Sequence, residues 1–110
     1  MTLPNIDPIS QTKPLGYDPV RGKFIYYNEI ISGREQIIPL ETLSDADFKT
    51  LVIERLRSGP DFRMQSMGGP LYTRDQVIVA IECDAPDMGP FLDAEMSYLR
   101  AFIQEIKENL

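Results

Sequence analysis

Residues 18–40, which decide the fold class, have the sequence DPVRGKFIYYNEIISGREQIIPL. Asp18 and Gly22 favour a turn, because aspartate binds nearby main-chain N–H groups and glycine accepts a left-handed conformation. Residues 23–31 are rich in aromatic and β-branched side chains and predict a strand. Residues 36–40 predict a third strand, and Pro39 places it at a sheet edge because proline has no N–H to donate. The stretch therefore predicts a three-stranded antiparallel β-meander.

Two helix starts follow with the same arrangement of side chains. Ser44 is a predicted N-cap, and the helix that it begins ends at the Gly-Pro pair of residues 59–60. Thr73 and Gln76 form a predicted capping box at the start of a second helix, over about residues 74–83. Because this second helix is apolar on most sides, we expect it to be the most buried one.

The last predicted helix begins near residue 90 and carries a narrow apolar seam. The seam residues are spaced alternately four and three apart, as in a coiled coil. They are Leu92, Met96, Leu99, Ile103, Ile106 and Leu110. The seam has two interpretations, since it can pack on the domain as a core stripe or form the interface of a homodimer.

Together these patterns predict an α+β fold in which a three-stranded antiparallel β-meander is followed by three α-helices packed on one face. The predicted domain covers residues 14–110. Residues 1–13, with two prolines and scattered apolar residues, predict an extended or flexible N-terminal arm.

The composition of the 110 residues is that of a globular domain, with 43% hydrophobic and 25% charged residues. Histidine is absent, which removes the commonest general base and the commonest zinc ligand and so favours binding over catalysis. The single cysteine, Cys83, excludes an intrachain disulfide and suits a reducing compartment, so we expect a cytoplasmic protein. Its place near the end of an apolar helix predicts a buried, inert thiol. No secretory signal or membrane-spanning run is apparent.

The net charge of −6 disfavours nucleic acid as a partner. Residues 49–74 contain five basic and two acidic residues, whereas residues 75–110 contain eight acidic and two basic residues. Two interpretations are open. The surface is either mixed and solvated, or its uneven charge favours head-to-tail self-association or an acidic partner.

The segment over residues 59–71 is predicted to be a loop of a length often used for function. Its glycines lead into a helix N-terminus, where main-chain N–H groups attract anions. The candidate anion-binding residues are Arg63, Gly68, Gly69, Thr73 and Arg74. The acidic run over residues 82–95 lacks the spacing of a calcium loop. Neither a metal nor a cofactor is predicted.

Aromatic residues on the predicted meander are the main candidates for a binding surface. An edge strand recruits extended peptides by main-chain pairing, and aromatic side chains add contact area at low entropic cost. The candidate partner-binding residues are Tyr17, Phe24, Tyr26, Tyr27, Ile37, Leu99 and Phe102. The sequence thus favours a non-catalytic protein- or peptide-binding adaptor. The alternatives are a self-assembling structural subunit held by the C-terminal helix, and a small-anion-binding domain or minor enzyme built on residues 59–75.

The order of three strands followed by three helices resembles the peptide-recognition elements of peptide-modifying enzymes, the group that includes the peptide chaperone of pyrroloquinoline-quinone synthesis. Residues 18–26 are similar to the first hairpin of that family, and residues 44–56 to its first helix. The resemblance implies a winged-helix fold. It also implies that a leader peptide adds to the third strand, about residues 36–40, and lies against the last helix.

Overall fold

A computed structural model describes residues 13–60, 62–65 and 71–109 of the chain. Most of the predicted N-terminal arm, Gly68, Gly69 and Leu110 lie outside these residues. The four strands are β1 (Pro14–Asp18), β2 (Lys23–Tyr26), β3 (Arg63–Gln65) and β4 (Leu71–Thr73). The four helices are α1 (Tyr27–Ile31), α2 (Asp45–Ser58), α3 (Arg74–Glu82) and α4 (Gly89–Asn109). Short 3-10 turns cover Leu40–Thr42 and Pro86–Met88.

The described residues confirm the α+β class but not the predicted meander. They form two antiparallel sheets of two strands each, β1 with β2 and β3 with β4, together with four helices. The prediction of one three-stranded sheet followed by three helices is therefore wrong in its details. The three longer helices, α2, α3 and α4, start where the sequence predicts them. The additional short helix, α1, covers residues predicted as part of a strand.

The first hairpin has the predicted turn. The Asp18 carboxylate accepts hydrogen bonds from the N–H groups of Val20 at 3.0 Å and Arg21 at 3.3 Å, and Gly22 has a φ of 62°. Across the strands, the rings of Tyr17 and Phe24 lie with their centroids 4.9 Å apart. The hairpin packs against α2, so one of its faces covers the core.

The chain leaves the sheet at Tyr26 because a polar side chain starts a helix there. The Glu29 carboxylate accepts a hydrogen bond from the Tyr26 N–H at 3.2 Å, as an N3 glutamate does in a capping box. The helical turn buries Tyr27 and Ile30, three residues apart on one side. Residues 27–31, which would have paired with residues 36–40 in the predicted meander, are helical. The predicted third strand is accordingly absent, and Pro39 leads into the first 3-10 turn.

Both predicted helix caps are confirmed. The Ser44 hydroxyl accepts a hydrogen bond from the Asp47 N–H at 3.1 Å at the start of α2. At the start of α3, the Thr73 hydroxyl accepts from the Gln76 N–H and the Gln76 side chain accepts from the Thr73 N–H. Such caps satisfy N–H groups that the helix leaves without partners.

The prediction of a plain loop over residues 59–71 is wrong. Strand β3 begins at Arg63, and β4 begins at Leu71 and continues directly into α3. The two strands are antiparallel, with Met64 opposite Tyr72. Met64 and Tyr72 pack against the core, which explains why so short a hairpin is held in place.

The seam of α4 is a core stripe. Leu99, Ile103 and Ile106 are buried in one cluster with residues of α2 and α3. The helix α3 is less buried than predicted, because Val77, Ile78 and Ile81 face the core while Val79 is 57% exposed.

Cys83 is exposed, so the prediction of a buried thiol is wrong. Cys83 is the C-cap of α3 and follows the buried Ile81 by two residues. Two residues along a helix correspond to about 200°, which turns the thiol away from the core.

Arg55 of α2 is a charged residue inside the core, with 6% of its surface exposed. Its Nη1 donates a hydrogen bond to the Pro14 carbonyl at 2.9 Å, and its Nε donates to the Glu95 carboxylate at 3.2 Å. The guanidinium also lies over the Tyr98 ring, 5.8 Å from its centroid. One side chain thus joins β1, α2 and α4.

Candidate peptide-binding cleft

An open cleft of about 420 Å³ lies between the 3-10 turn at Leu40–Thr42 and the C-terminal half of α4. The residues that line it come from these two elements and from Pro39. They are Pro39, Leu40, Glu41, Arg100, Ala101, Ile103, Gln104 and Lys107. The cleft therefore lies where the segment predicted as a third strand meets the last helix.

The floor of the cleft is apolar and its rim is charged. Leu40 and Ile103 are buried members of the core. On the rim, Arg100 Nε lies 3.1 Å from Glu41 Oε1, and both side chains are more than half exposed. An exposed ion pair of this kind contributes about 0–1 kcal/mol, so an incoming group can displace it at little cost.

The main chain directly before the cleft makes no hydrogen bond to the rest of the described chain. Within the described residues, the N–H groups of Gln36, Ile37 and Ile38 donate no hydrogen bond and their carbonyls accept none. The Ile37 and Ile38 side chains pack against the core, so the segment is held in place by its side chains. Buried main-chain polar groups almost always find partners in folded proteins, and exposed ones bind water. Gln36 is exposed and Ile37 and Ile38 are half-buried, so another chain can replace water at the main-chain groups that face solvent.

A network of five charged residues fixes the upstream end of this segment. Its members are Asp18, Arg21, Lys23, Glu29 and Glu35. Arg21 contacts Asp18 at 2.5 Å and Glu35 at 2.7 Å, while Lys23 contacts Glu29 at 2.6 Å and Glu35 at 3.0 Å. Glu35, the residue directly before Gln36, is thus anchored to the first hairpin.

The network shifts the pKa values of its members in the direction that favours charge. Hydrogen bonds from Arg21 and then Lys23 lower the pKa of Glu35 from 4.5 to about 2. The hydrogen bond from Lys23 lowers the pKa of Glu29, and that from Arg21 lowers the pKa of Asp18. Hydrogen bonds to Glu29 and then Glu35 raise the pKa of Lys23. Hydrogen bonds to Glu35 and then Asp18 raise the pKa of Arg21.

The residues predicted to bind a partner are placed differently from one another. Tyr27 and Leu99 are buried in the core and do not line the cleft. Tyr17 and Phe24 form the ring pair of the first hairpin. Ile37 lies in the segment that lacks main-chain partners.

The other two predicted residues lie apart from the cleft lining. Phe102 stacks on Tyr98 with ring centroids 6.1 Å apart. Tyr26 is half-buried at the junction of β2 and α1, and burial raises the pKa of its hydroxyl. None of the predicted residues lines the cleft. Leu99 and Phe102 adjoin lining residues of α4 in the sequence, and Ile37 lies two positions before Pro39.

The candidate anion-binding residues are engaged in local structure where they are described. Thr73 caps α3, and Arg74 Nη1 donates a hydrogen bond to the Gly59 carbonyl at 3.0 Å. Arg74 Nε is buried and forms no hydrogen bond within the described residues, and it lies 3.5 Å from Asp75 Oδ1 as an ion pair. Arg63 is exposed on β3. Gly68 and Gly69 lie outside the described residues.

The acidic run does not converge on a metal site. In the part of the chain that the structure describes, no three acidic or cysteine side chains come together as metal ligands. Glu82 pairs with Arg57, and Asp84 pairs with Lys49. Asp87 accepts a hydrogen bond from the Tyr72 hydroxyl at 2.6 Å, which raises the pKa of that tyrosine.

Sequence reasoning missed the polar rim of the cleft. Arg100, Gln104 and Lys107 follow one another at helical spacing beside Ile103 and so share one face of α4. This periodicity is visible in the sequence. What the sequence does not show is that Glu41 lies opposite, because the position of the 3-10 turn depends on tertiary packing.

Among the described helices, none combines the length and the apolar character needed to cross a lipid bilayer. Comparisons of this chain with protein-family models, with curated proteins and with solved structures found no match.

Proposed function

We propose that this domain is a non-catalytic peptide-binding module that takes an extended segment of a partner protein alongside residues 36–38. The main-chain groups of that segment supply the partners that Gln36, Ile37 and Ile38 lack within the described residues. The observation that carries the proposal is the position of these residues next to an apolar-floored cleft.

The two parts of the site have different roles. Main-chain pairing gives affinity with little dependence on sequence, as when a strand is added to a sheet edge. The cleft supplies selectivity, because its floor at Leu40 and Ile103 accepts an apolar side chain. Its rim carries Arg100 and Lys107 against Glu41. This excess of positive charge favours a ligand with a carboxylate beside its apolar side chain.

The alternative of a structural subunit that assembles through the α4 seam receives less support. Leu99, Ile103 and Ile106 already contact the domain's own core. A dimer through the same seam requires these residues to leave that core, which costs about 1.5–3 kcal/mol for each large apolar side chain removed from it.

The proposal is tested by selecting ligands from a displayed library of random dodecapeptides and measuring their affinity by fluorescence anisotropy. Ala101→Trp fills the cleft from an exposed position of α4, and Ala94→Trp adds the same bulk to an exposed position outside the cleft. We expect Ala101→Trp to weaken binding about tenfold and Ala94→Trp to leave it within about twofold. Amide resonances of residues 36–41 and 100–107 should shift on binding.

Three results count against the proposal. The first is the failure of any peptide to be enriched over the starting library. The second is equal loss of affinity in the two tryptophan variants. The third is a set of resonance shifts confined to residues outside the cleft and the segment before it.

A further inference from the structure

A second groove lies at the other end of α4, centred on Lys49. Three adjoining depressions of about 250, 150 and 460 Å³ meet there, and Lys49 lines all three. They are formed by the first turns of α2 and α4 and by the connection between α3 and α4. The two sites share no lining residue. Met96 lines this groove, and the first cleft begins at Arg100, four residues or about 6 Å further along the helix axis.

The walls of the groove are apolar. Phe48 and Ile81 are buried at its base, and Leu92 and Met96 are half-buried on the side of α4. Ile53 adds apolar surface from the next turn of α2. A groove with such walls gains free energy when apolar side chains of a partner fill it.

The charge of the groove is negative. Its lysine is neutralised in place, because Lys49 Nζ contacts Asp84 across the groove. Glu82, at the edge, pairs with Arg57 over 3.5 Å. Asp45 and Asp93 line the same depression as Phe48 and Leu92, and no ion pair engages either of them within the described residues. Two carboxylates therefore flank the apolar walls without an ion-pair partner among the described residues, since Lys49, which lines the same depression, is paired with Asp84.

The main chain of this groove differs from that of the first cleft. Its long walls are the helices α2 and α4, whose main-chain groups bond within each helix. A partner cannot add a strand here and must bind through its side chains. An amphipathic helix laid in a groove between helices binds in this way.

We propose that the groove around Lys49 docks a basic amphipathic helix of a partner protein. Leucine-like side chains of that helix pack on Phe48, Leu92 and Met96, and its lysine or arginine residues pair with Asp45 and Asp93. This second surface is independent of the peptide cleft. It makes the domain bivalent, able to hold an extended segment at one end of α4 and a helical one at the other.

The experiment uses two labelled synthetic peptides and the full chain. Both peptides have leucines at helical spacing, and the remaining positions are lysine in one and glutamate in the other. Binding is followed by fluorescence anisotropy at low and high salt, and by amide resonance shifts. We expect the lysine peptide to bind, to shift residues near Phe48 and Leu92, and to lose affinity as salt screens the ion pairs. The glutamate peptide should not bind.

Matched variants separate charge pairing from general effects of surface charge. Asp45→Asn with Asp93→Asn should weaken binding of the lysine peptide about fivefold or more. Asp75→Asn is the control, because Asp75 lies in the first turn of α3 as Asp45 lies in the first turn of α2, and it lines none of these depressions. It should leave affinity unchanged.

The proposal is overturned if the glutamate peptide binds as well as the lysine peptide, if the double variant keeps full affinity, or if the lysine peptide does not bind. Shifts confined to residues 36–41 and 100–107 would also overturn it, and they would leave the proposed peptide cleft standing. Melting temperatures of the variants show whether each remains folded. If the double variant does not fold, Asp93→Lys replaces it, and it too should weaken binding of the lysine peptide.

Discussion

The guanidinium of Arg21 makes two parallel hydrogen bonds to the carboxylate of Glu35, from Nη1 to Oε1 at 3.0 Å and from Nη2 to Oε2 at 2.7 Å. The two residues lie fourteen positions apart, on either side of β2 and α1. This fork-to-fork contact is the strongest geometry for an arginine and a carboxylate. It ties the turn of the first hairpin to the segment that enters the proposed peptide cleft.

This contact predicts a pH dependence of stability. The pKa of Glu35 is lowered from 4.5 to about 2 in the folded chain, so the network stabilises the fold fully above about pH 4.5. That contribution is lost as the pH falls from about 4.5 toward 2, because the unfolded chain then binds a proton that the folded chain does not. Glu35→Gln should flatten this part of the curve of melting temperature against pH. Glu108→Gln, a change outside the network, should not.

The outcome that contradicts this prediction is a Glu35→Gln protein with the same acid dependence as the parent. Asp18 and Glu29 also have lowered pKa values and contribute in the same direction. Some acid sensitivity should therefore persist in the variant. The measured quantity is the difference between the two glutamine variants below about pH 4.5.

Arg55 predicts the largest stability effect of any charged residue in the described part of the chain. Arg55→Ala removes the donors to the Glu95 carboxylate and the Pro14 carbonyl and leaves both groups with unmet hydrogen bonds in or near the core. We expect the free energy of unfolding to fall by roughly 3 kcal/mol, since breaking a buried ion pair from one side is strongly destabilising. Arg57→Ala, at an exposed pair two residues away, should change it by less than about 1 kcal/mol. Urea unfolding measures both, and equal effects would contradict the assignment.

The sequence predicted those features that depend on a few adjacent side chains. The caps at Ser44 and Thr73 and the turn at Asp18 are hydrogen bonds between a side chain and main-chain groups two or three residues away. Such bonds form wherever the local residues allow them. The core stripe of α4 was also visible, because helical periodicity determines which residues share a face.

The features that the sequence did not predict depend on competition between segments. Residues 27–31 have high strand propensity, but Glu29 caps a helix at Tyr26 and binds Lys23, and this local chemistry prevails. Because residues 27–31 are helical, residues 36–40 have no strand opposite them with which to pair. Strand β3, with Arg63 and Gln65 around Met64, has too little apolar character to be recognised.

The candidate cleft could be predicted only in part. The sequence placed a candidate binding surface on residues 24–31, residues 36–40 and the last helix, whereas the cleft lies between Pro39 and Ile103. It did not identify Glu41 or Lys107, because their approach follows from how the 3-10 turn packs. The predicted role of Leu99 does not fit its complete burial.

The burial of Leu99 predicts which interpretation of the α4 seam holds in solution. Leu99→Ala should lower the free energy of unfolding by about 2–5 kcal/mol, as expected for a large side chain removed from a packed core. Leu99→Glu should prevent folding altogether. Ser97→Ala, at an exposed position of the same helix, should have little effect. If Leu99→Glu instead gives a folded monomer from a parent that light scattering shows to be a dimer, the seam is an interface and the core assignment is wrong.

At Asp84, just after α3, glycine should be tolerated better than valine. The Asp84 φ of 55° is left-handed, a conformation that aspartate, asparagine and glycine tolerate and β-branched residues do not. Asp84→Gly removes the contact with Lys49 but relieves the main chain, so the melting temperature should change little. Asp84→Val removes the same contact and adds backbone strain of about 1–2 kcal/mol, so it should melt clearly below Asp84→Gly. Because both variants lose the same ion pair, their difference does not contain it. Glycine also gives the unfolded chain more conformational entropy, which lowers the difference, so equal melting temperatures would contradict the prediction.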